Sequence, residues 1–438
     1  MFKTLQNAFK VQDVRRRILY VFMMLVVVRI GSQLPVPGVD NSYFQNWFET
    51  QGGSAFNFLD AFTGGSFSQM SIFALSITPY ITSSIIIQLL TIAIPKLEEM
   101  QRDGEDGRKK LNAITRYLTV GLALFQSVAM AVGFGNQGLI PDNNVWKSIV
   151  VVAALTAGSA FLMWVGEQIN DKGVGNGISI VLLINIVSRI PSDMGTLYET
   201  FVSGKTYAKA GLAVLIILAV IVGVVVLVVI LNGAERKIPV QYSKKVQGRK
   251  MMGGQSSSIP LKVNTAGVIP VIFASSLMST PSVIASFVGA GSGSGIGSQI
   301  LAGLNSNNWF SPSRPIYSLG LVLYVVLVIF FAYFYTSITF NPLEVADNLK
   351  KQGGFIPGIR PGKPTVDYLS NLLNYIIFIG AAGLTIVAVI PFFFNGVFGA
   401  NVSFGGTSII IIVGVILETL KQIESMMVVR NYKGFLDD

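Results

Sequence analysis

Ten apolar runs punctuate the chain, at about 18–34, 70–94, 117–134, 148–166, 176–190, 211–231, 265–288, 316–338, 374–394 and 406–423. A helix rises about 1.5 Å per residue, so each run predicts a helix able to cross the ~30 Å hydrocarbon core of a bilayer; the fifth run is short. The second run is the most informative. No residue from Met70 to Ile94 is charged, whereas the stretch before it, Phe56 to Phe67, mixes apolar side chains with Asn57, Asp60, Thr63 and the pair Gly64-Gly65. That stretch is too interrupted to span, and lipid cannot satisfy its backbone, so it must be buried in protein or line a water-filled cavity. It points to a pore. Pro79 removes a backbone hydrogen bond within the run and predicts a kink there. Ile77 and Ile81 share a helical face, and periodicity alone reads them as contacts to lipid or to a neighbouring helix.

Composition strengthens the membrane reading. Only 12% of residues are charged and 51% are apolar, against about 25% charged in soluble domains. Of 32 Lys and Arg, 26 fall in the segments before the first span, at 95–116, 167–175, 232–264 and 339–373, and in the C-terminal tail; the opposite loops hold five, and Arg29 lies inside the first span. The bias places both termini in the cytoplasm. Arg15, Arg16 and Arg17 precede a run that ends in Pro35-Val-Pro-Gly with no small-residue cleavage site, which predicts an uncleaved first span. Ten spans divide into five and five. The fold expected is an all-α integral membrane protein of two pseudo-symmetric inverted halves, 1–200 and 201–438, with the break in the polar stretch 191–210.

Two cytoplasmic segments exceed thirty residues. One carries Arg236, Lys237, Lys244, Lys245, Arg249 and Lys250 against the single acid Glu235; the other sets Arg360 in the turn-rich Gly-Phe-Ile-Pro-Gly-Ile-Arg-Pro-Gly. The positive-inside bias accounts for these charges but not for the length of the loops, and long structured loops suit an acidic protein or an RNA backbone.

Chemistry is sparse. The chain has no Cys and no His, which removes thiolate metal sites and the commonest general base. Gly173-Val-Gly-Asn-Gly lacks the Lys-Ser/Thr of a phosphate loop, and Asn176 reads instead as a helix cap. No catalytic constellation, metal site or cofactor motif emerges, so an enzyme is not expected. Gln88, Gln126, Asn185 and Asn264 within or beside spans read as interhelical glue as readily as function. The rival class is a secondary transporter for a small amphiphilic solute, disfavoured by the lack of carboxylates inside the spans.

Several stretches are similar to one family. Pro-Tyr-Ile-Thr-Ser-Ser-Ile-Ile-Ile-Gln-Leu-Leu (79–90), Gly-Glu-Gln-Ile (166–169), Gly-Asn-Gly-Ile-Ser-Ile (175–180), Lys-Val-Asn-Thr-Ala-Gly-Val-Ile-Pro (262–270), Asn-Pro-Leu-Glu-Val-Ala-Asp-Asn-Leu (341–349), Pro-Gly-Ile-Arg-Pro-Gly (357–362) and Phe-Gly-Gly-Thr-Ser (404–408) resemble the SecY family, channel subunits of the bacterial Sec translocon. The resemblance runs from about Arg15 to Met427. It implies a channel that passes unfolded preproteins across the cytoplasmic membrane and releases apolar segments sideways into lipid. It further implies an aliphatic pore ring at Ile77, Ile81, Leu182, Ile186, Leu277 and Ile411, and a re-entrant plug helix over about 56–66 that includes Phe56, Phe58, Leu59, Phe62, Gly64 and Gly65. A lateral gate between the second and third spans and the seventh and eighth is implied, near Gln88, Gln126 and Asn264. Arg236, Lys244, Lys245, Arg249, Lys250 and Arg360 would dock the SecA motor or the ribosome. SecE and SecG are the implied partner subunits.

The charge bias generates a direct prediction. A reporter fused near Lys250 or Arg360 reads cytoplasm and one fused near Gly293 reads outside; exchanged signals would remove the ten-span topology.

Overall fold

The computed structural model describes residues 6, 8–48, 60, 62–136, 145–203, 207–242, 245–247, 250–252, 256–288, 296–304, 308–310, 315–398 and 406–433. Helices dominate. They are α1 (Gln12–Gly31), α2 (Asn41–Trp47), α3 (Thr78–Ala93), α4 (Pro95–Arg102), α5 (Glu105–Asn136), α6 (Val145–Lys172), α7 (Gly177–Phe201) and α8 (Tyr207–Gly233) in the first part of the chain. After a strand region come α9 (Ile269–Val288), α10 (Ile296–Leu304), α11 (Leu319–Thr339), α12 (Pro342–Lys351), α13 (Lys363–Phe398) and α14 (Gly406–Lys433). Among the described residues six helices are long and apolar enough to cross a membrane, seven if the bent pair α3–α4 is one span. The first, seventh and tenth apolar runs coincide with α1, α9 and α14.

The helices pack in a closed circuit. α5 packs on α6, α6 on α7, α7 on α14, α14 on α13, α13 on α11, α11 on α9, and α9 returns to α5. The N-terminal and C-terminal helices therefore meet on two sides, at α7–α14 and at α5–α9, and enclose a centre between them.

The second run departs most from expectation. Only Thr78–Ala93 is helical, and Pro79 lies in the first turn, where its missing N–H has no intrahelical partner to lose and its fixed φ suits helix initiation. The kink expected at Pro79 is absent. The sharp bend falls instead at Ile94, where α3 and α4 meet at 107°, ahead of Pro95, again a first-turn proline. Residues 64–77 are a chain of turns. Within the stretch 191–210, α7 continues through Pro191 to Phe201 and α8 begins at Tyr207.

Strands are the other departure from an all-α fold. β1 (Glu235–Tyr242) pairs antiparallel with β4 (Ser256–Lys262) and, at its end, with β5 (Gly354–Phe355), in the order β4-β1-β5; β2 (Lys245–Gln247) and β3 (Lys250–Met252) form a separate hairpin. The signal was a short alternation: Ile238 and Val240 are buried while Arg236, Lys237 and Gln241 are exposed. Pro239 falls on the part of β1 that β5 does not cover, where a strand tolerates proline. Ile238, Val240 and Leu261 pack with Leu349, Ile356, Leu369 and Ile376, which seats the sheet on α12 and the first turns of α13.

Close backbone approach locks the turns into the N-terminal helices. A Cβ on Gly158 of α6 would lie 2.1 Å from the carbonyl oxygen of Ile72. Gly158→Ala should therefore cost about 1–3 kcal/mol of stability through overpacking, read as a lower unfolding temperature in detergent, whereas Gly121→Ala on α5, with nothing within 4 Å, should be neutral.

Candidate functional site

Five of the six ring candidates come together at the centre. Ile77, Leu182 and Ile186 of the N-terminal half and Ile411 of α14 are each at most 3% exposed and belong to one buried cluster, with Ile81 packed against it. Leu277 does not join them. It is 53% exposed, and Ile272, 8% exposed and also on α9, lies in the cluster instead. Five residues along a helix turn a side chain by about 140°, so the Val-Ile-Pro motif located the right helix but not the face it presents.

Two local features place these side chains. Asn176 caps α7, its Oδ1 accepting from Ile178 N at 3.1 Å and Ser179 N at 3.4 Å, which fixes the start of the helix carrying Leu182 and Ile186. Ile77 is the residue that precedes α3, and its carbonyl accepts the first helical bonds, from Tyr80 N and Ile81 N at 3.1 Å.

Beside the cluster lies the segment from Phe62 to Ile77, and much of its backbone is bonded to protein. Val36 N donates to Met70 O at 3.0 Å and Ile72 N to Leu34 O at 2.9 Å. Gly65 N bonds Asp60 O at 3.1 Å and Ser71 N bonds Ser66 O at 2.9 Å. Met70 and Ser76 have φ of 44° and 51°, left-handed conformations that cost L-residues energy and persist where surroundings impose them. For Ser76 the surroundings are explicit: its carbonyl accepts from Ser159 Oγ at 3.1 Å and its hydroxyl from Asn185 Nδ2 at 3.2 Å. On the far side Phe67 is buried against Phe44, Phe48 and Phe134, with ring centroids 6.0–6.3 Å away.

The plug candidates sit here as far as they are described. Phe62 packs on the aliphatic cluster. Gly64 (φ +68°) is pressed so close to α7 that a Cβ would come within 2.8 Å of Asn185 Cα. Gly65 follows at φ +85°. Phe56, Phe58 and Leu59 lie outside the described residues, as do Lys244 and Arg249.

With Asp60, the segment also holds four polar contacts to three residues of α7 that sequence reasoning did not assemble. Asn185 Nδ2 donates to Phe62 O at 3.3 Å as well as to Ser76 Oγ. Ser188 Oγ shares its proton between Gly64 O at 3.3 Å and Asn185 O at 2.7 Å. Arg189 pairs with the fully buried Asp60. The signal was available: Asn185, Ser188 and Arg189 are spaced i, i+3, i+4 and so share one helical face.

Of the gate candidates, Gln88 donates to Ser84 Oγ on its own helix at 3.5 Å while its Oε1 is buried without a hydrogen-bond partner. Gln126 is partly buried on α5, the helix that meets α9. Asn264 Nδ2 donates to Asn232 Oδ1 at 2.7 Å, tying the end of the sheet to the end of α8. Ile85 of α3 packs on a buried apolar cluster whose members include Val271, Phe273, Ala274 and Met278 of α9. Arg236 of β1 and Arg360 are exposed. Arg360 stands at a tip anchored by Ile356 and Ile359, between Gly358 at φ +82° and Gly362 at φ +105°. Lys245 and Lys250 fall in the β2–β3 hairpin.

Residues 71–420 match the SecY family. Over the whole of both chains the sequence is 45% identical to the protein translocase subunit SecY of Bacillus subtilis and 44% identical to that of Streptomyces galbus. The fold is similar to a solved structure described as a protein-conducting channel, with TM-score 0.60 and 17% identity over 94% of this chain and 92% of the other. It is similar as well to Sec61 in a canine ribosome-channel complex, with TM-score 0.61 and 17% identity over the same shares. The match over most of its length and the identity to full-length relatives place this chain in the SecY family.

Proposed function

We propose that the chain is the channel subunit of a Sec translocase. Unfolded preproteins pass through the centre of the helix circuit, between the halves, and apolar segments leave into lipid where α5 meets α9. The observation that carries this is the buried aliphatic cluster, which draws Ile77, Leu182, Ile186, Ile272 and Ile411 from both halves onto one point. Such a ring suits a channel for chains of any sequence. Aliphatic side chains offer no directional bonds, so they part around a peptide and close again, and when closed they exclude water and with it ions.

The remaining parts follow from the same reading. The ten apolar runs are ten spans in two inverted halves, both termini cytoplasmic, in the bacterial plasma membrane. The segment that includes Asp60–Ser66 is the base of a plug, reached along α7 beyond Leu182 and Ile186 toward the end that the charge bias places outside. The basic sheet and the Arg360 tip dock a motor or a ribosome that supplies the energy, SecA or the translating ribosome, and SecE and SecG complete the complex. Ribosome docking is supported by relatives of the same fold described in ribosome-bound complexes, canine Sec61 and yeast Ssh1.

The seal is testable by one substitution. Ile411→Asn puts an amide into the ring, where leaving it dry costs about 1–3 kcal/mol; the open population should rise about five- to thirtyfold for a bias of one to two of those kcal/mol. Idle ion leak in reconstituted vesicles should increase, and signal peptides too weak to open the parent should be accepted. The comparison is Ile416→Asn on the same helix, 43% exposed. Equal leak from both variants would mean that a polar residue on α14 merely disturbs packing.

A further inference from the structure

The ion pair between Arg189 and Asp60 is not needed to make a pore. Neither residue lies in the aliphatic cluster, yet Asp60 is 0% and the Arg189 side chain only 21% exposed. Removing two charges from water is costly, and a buried pair commonly contributes less to stability than apolar side chains of the same size would. What such a pair does supply is a two-state contact: intact it fixes one geometry, and half-broken it leaves a buried charge.

Its placement decides what it fixes. Asp60 is tied into the segment by accepting from Ser68 N at 2.8 Å, and its carbonyl accepts from Thr63 Oγ1 at 3.1 Å. Arg189 is one turn from Asn185 and adjacent to Ser188, so a single face of α7 grips residues 60–64 through one charge pair, one amide and one hydroxyl. Gly64 lets the backbones approach to the distance at which those side chains reach. The same helix presents Leu182 and Ile186 to the ring. Ring and segment are thus two loads on one helix.

We propose that Arg189, with Asn185 and Ser188, is a latch that holds the plug base against α7 in the idle channel, and that plug release requires the Arg189–Asp60 pair to separate. These are positioning residues: they act on ion flow through the segment they hold. The proposal rests on the plug reading above.

The experiment uses the full chain with its native partner subunits in vesicles, reading idle ion efflux and preprotein export together. Arg189→Gln and Asp60→Asn should each raise idle efflux about fivefold or more while export continues, the scale expected for breaking a buried pair. Asp60→Asn is the same size and keeps an acceptor for Ser68 N, so it remains informative if Arg189→Gln does not insert. The double variant should leak no more than the worse single, because both remove one contact. Arg116→Gln, which breaks the Arg116–Glu167 pair between α5 and α6, should leave efflux unchanged. Deletion of 60–66 separates the two claims. If the deletion leaks and the single variants stay within about twofold of the parent, less than any useful coupling, the latch is wrong and the plug stands. If the singles leak additively, the two residues act independently and the latch is again wrong. If the deletion does not leak, the plug reading itself fails.

Discussion

Irregular backbone at membrane depth has to find its hydrogen-bond partners in protein, and the turns from Gly64 to Ile77 meet that demand through every neighbour they have. The loop after α1 supplies Leu34 O and Val36 N, α6 supplies Ser159, and α7 supplies Asn185 and Ser188. Because the partners come from three separate elements, the segment serves as the point at which the N-terminal helices are registered against one another. Ile77, last residue of the turns and first carbonyl of α3, inherits its position from that network. The position of the aliphatic cluster is therefore set in part by polar contacts although the cluster is built from apolar side chains.

The C-terminal helices contribute to the centre differently. Beside one polar tie, Gly175 N donating to Gln422 Oε1 at 2.6 Å, Ile272 and Ile411 arrive on regular helices and pack on apolar side chains of the N-terminal half. Dispersion and exclusion of lipid hold such contacts without directional bonds. An apolar contact of this kind, such as Ile85 of α3 on the cluster that includes Val271, Phe273 and Met278 of α9, holds no directional bond that separation would have to break. The contrast with the hydrogen-bonded segment is functional. One side of the centre is held by specific bonds that must be broken one at a time, and the other by surfaces that can part.

Much of this was legible in the sequence, and what was not has definite causes. Every apolar run contains a helix because burial in lipid leaves the backbone no other local solution. Asn176 was legible as a cap because its side-chain oxygen has a standard local role. Pro79 was misread because the same residue breaks a helix interior and begins a helix well; which applies depends on where the helix starts, and that is set by contacts from distant Ser159 and Asn185. Leu277 was misplaced because a motif fixes a helix and not its rotation. The β1–β4 pairing was hidden by Pro239 and Pro260 and by alternation over too few residues. Asp60 and Arg189 lie 129 positions apart, so nothing local joins them.

Passage of a translocating chain through the aliphatic cluster can be tested directly. The absence of native cysteine allows single cysteines to be placed at Ile411, Ile272 and Leu277 and tested for crosslinking to a cysteine midway along an arrested preprotein. Crosslinks from Ile411 and Ile272 but not from Leu277 are the result expected. Crosslinks from Leu277 alone, or from none of the three while the preprotein is arrested, would contradict it.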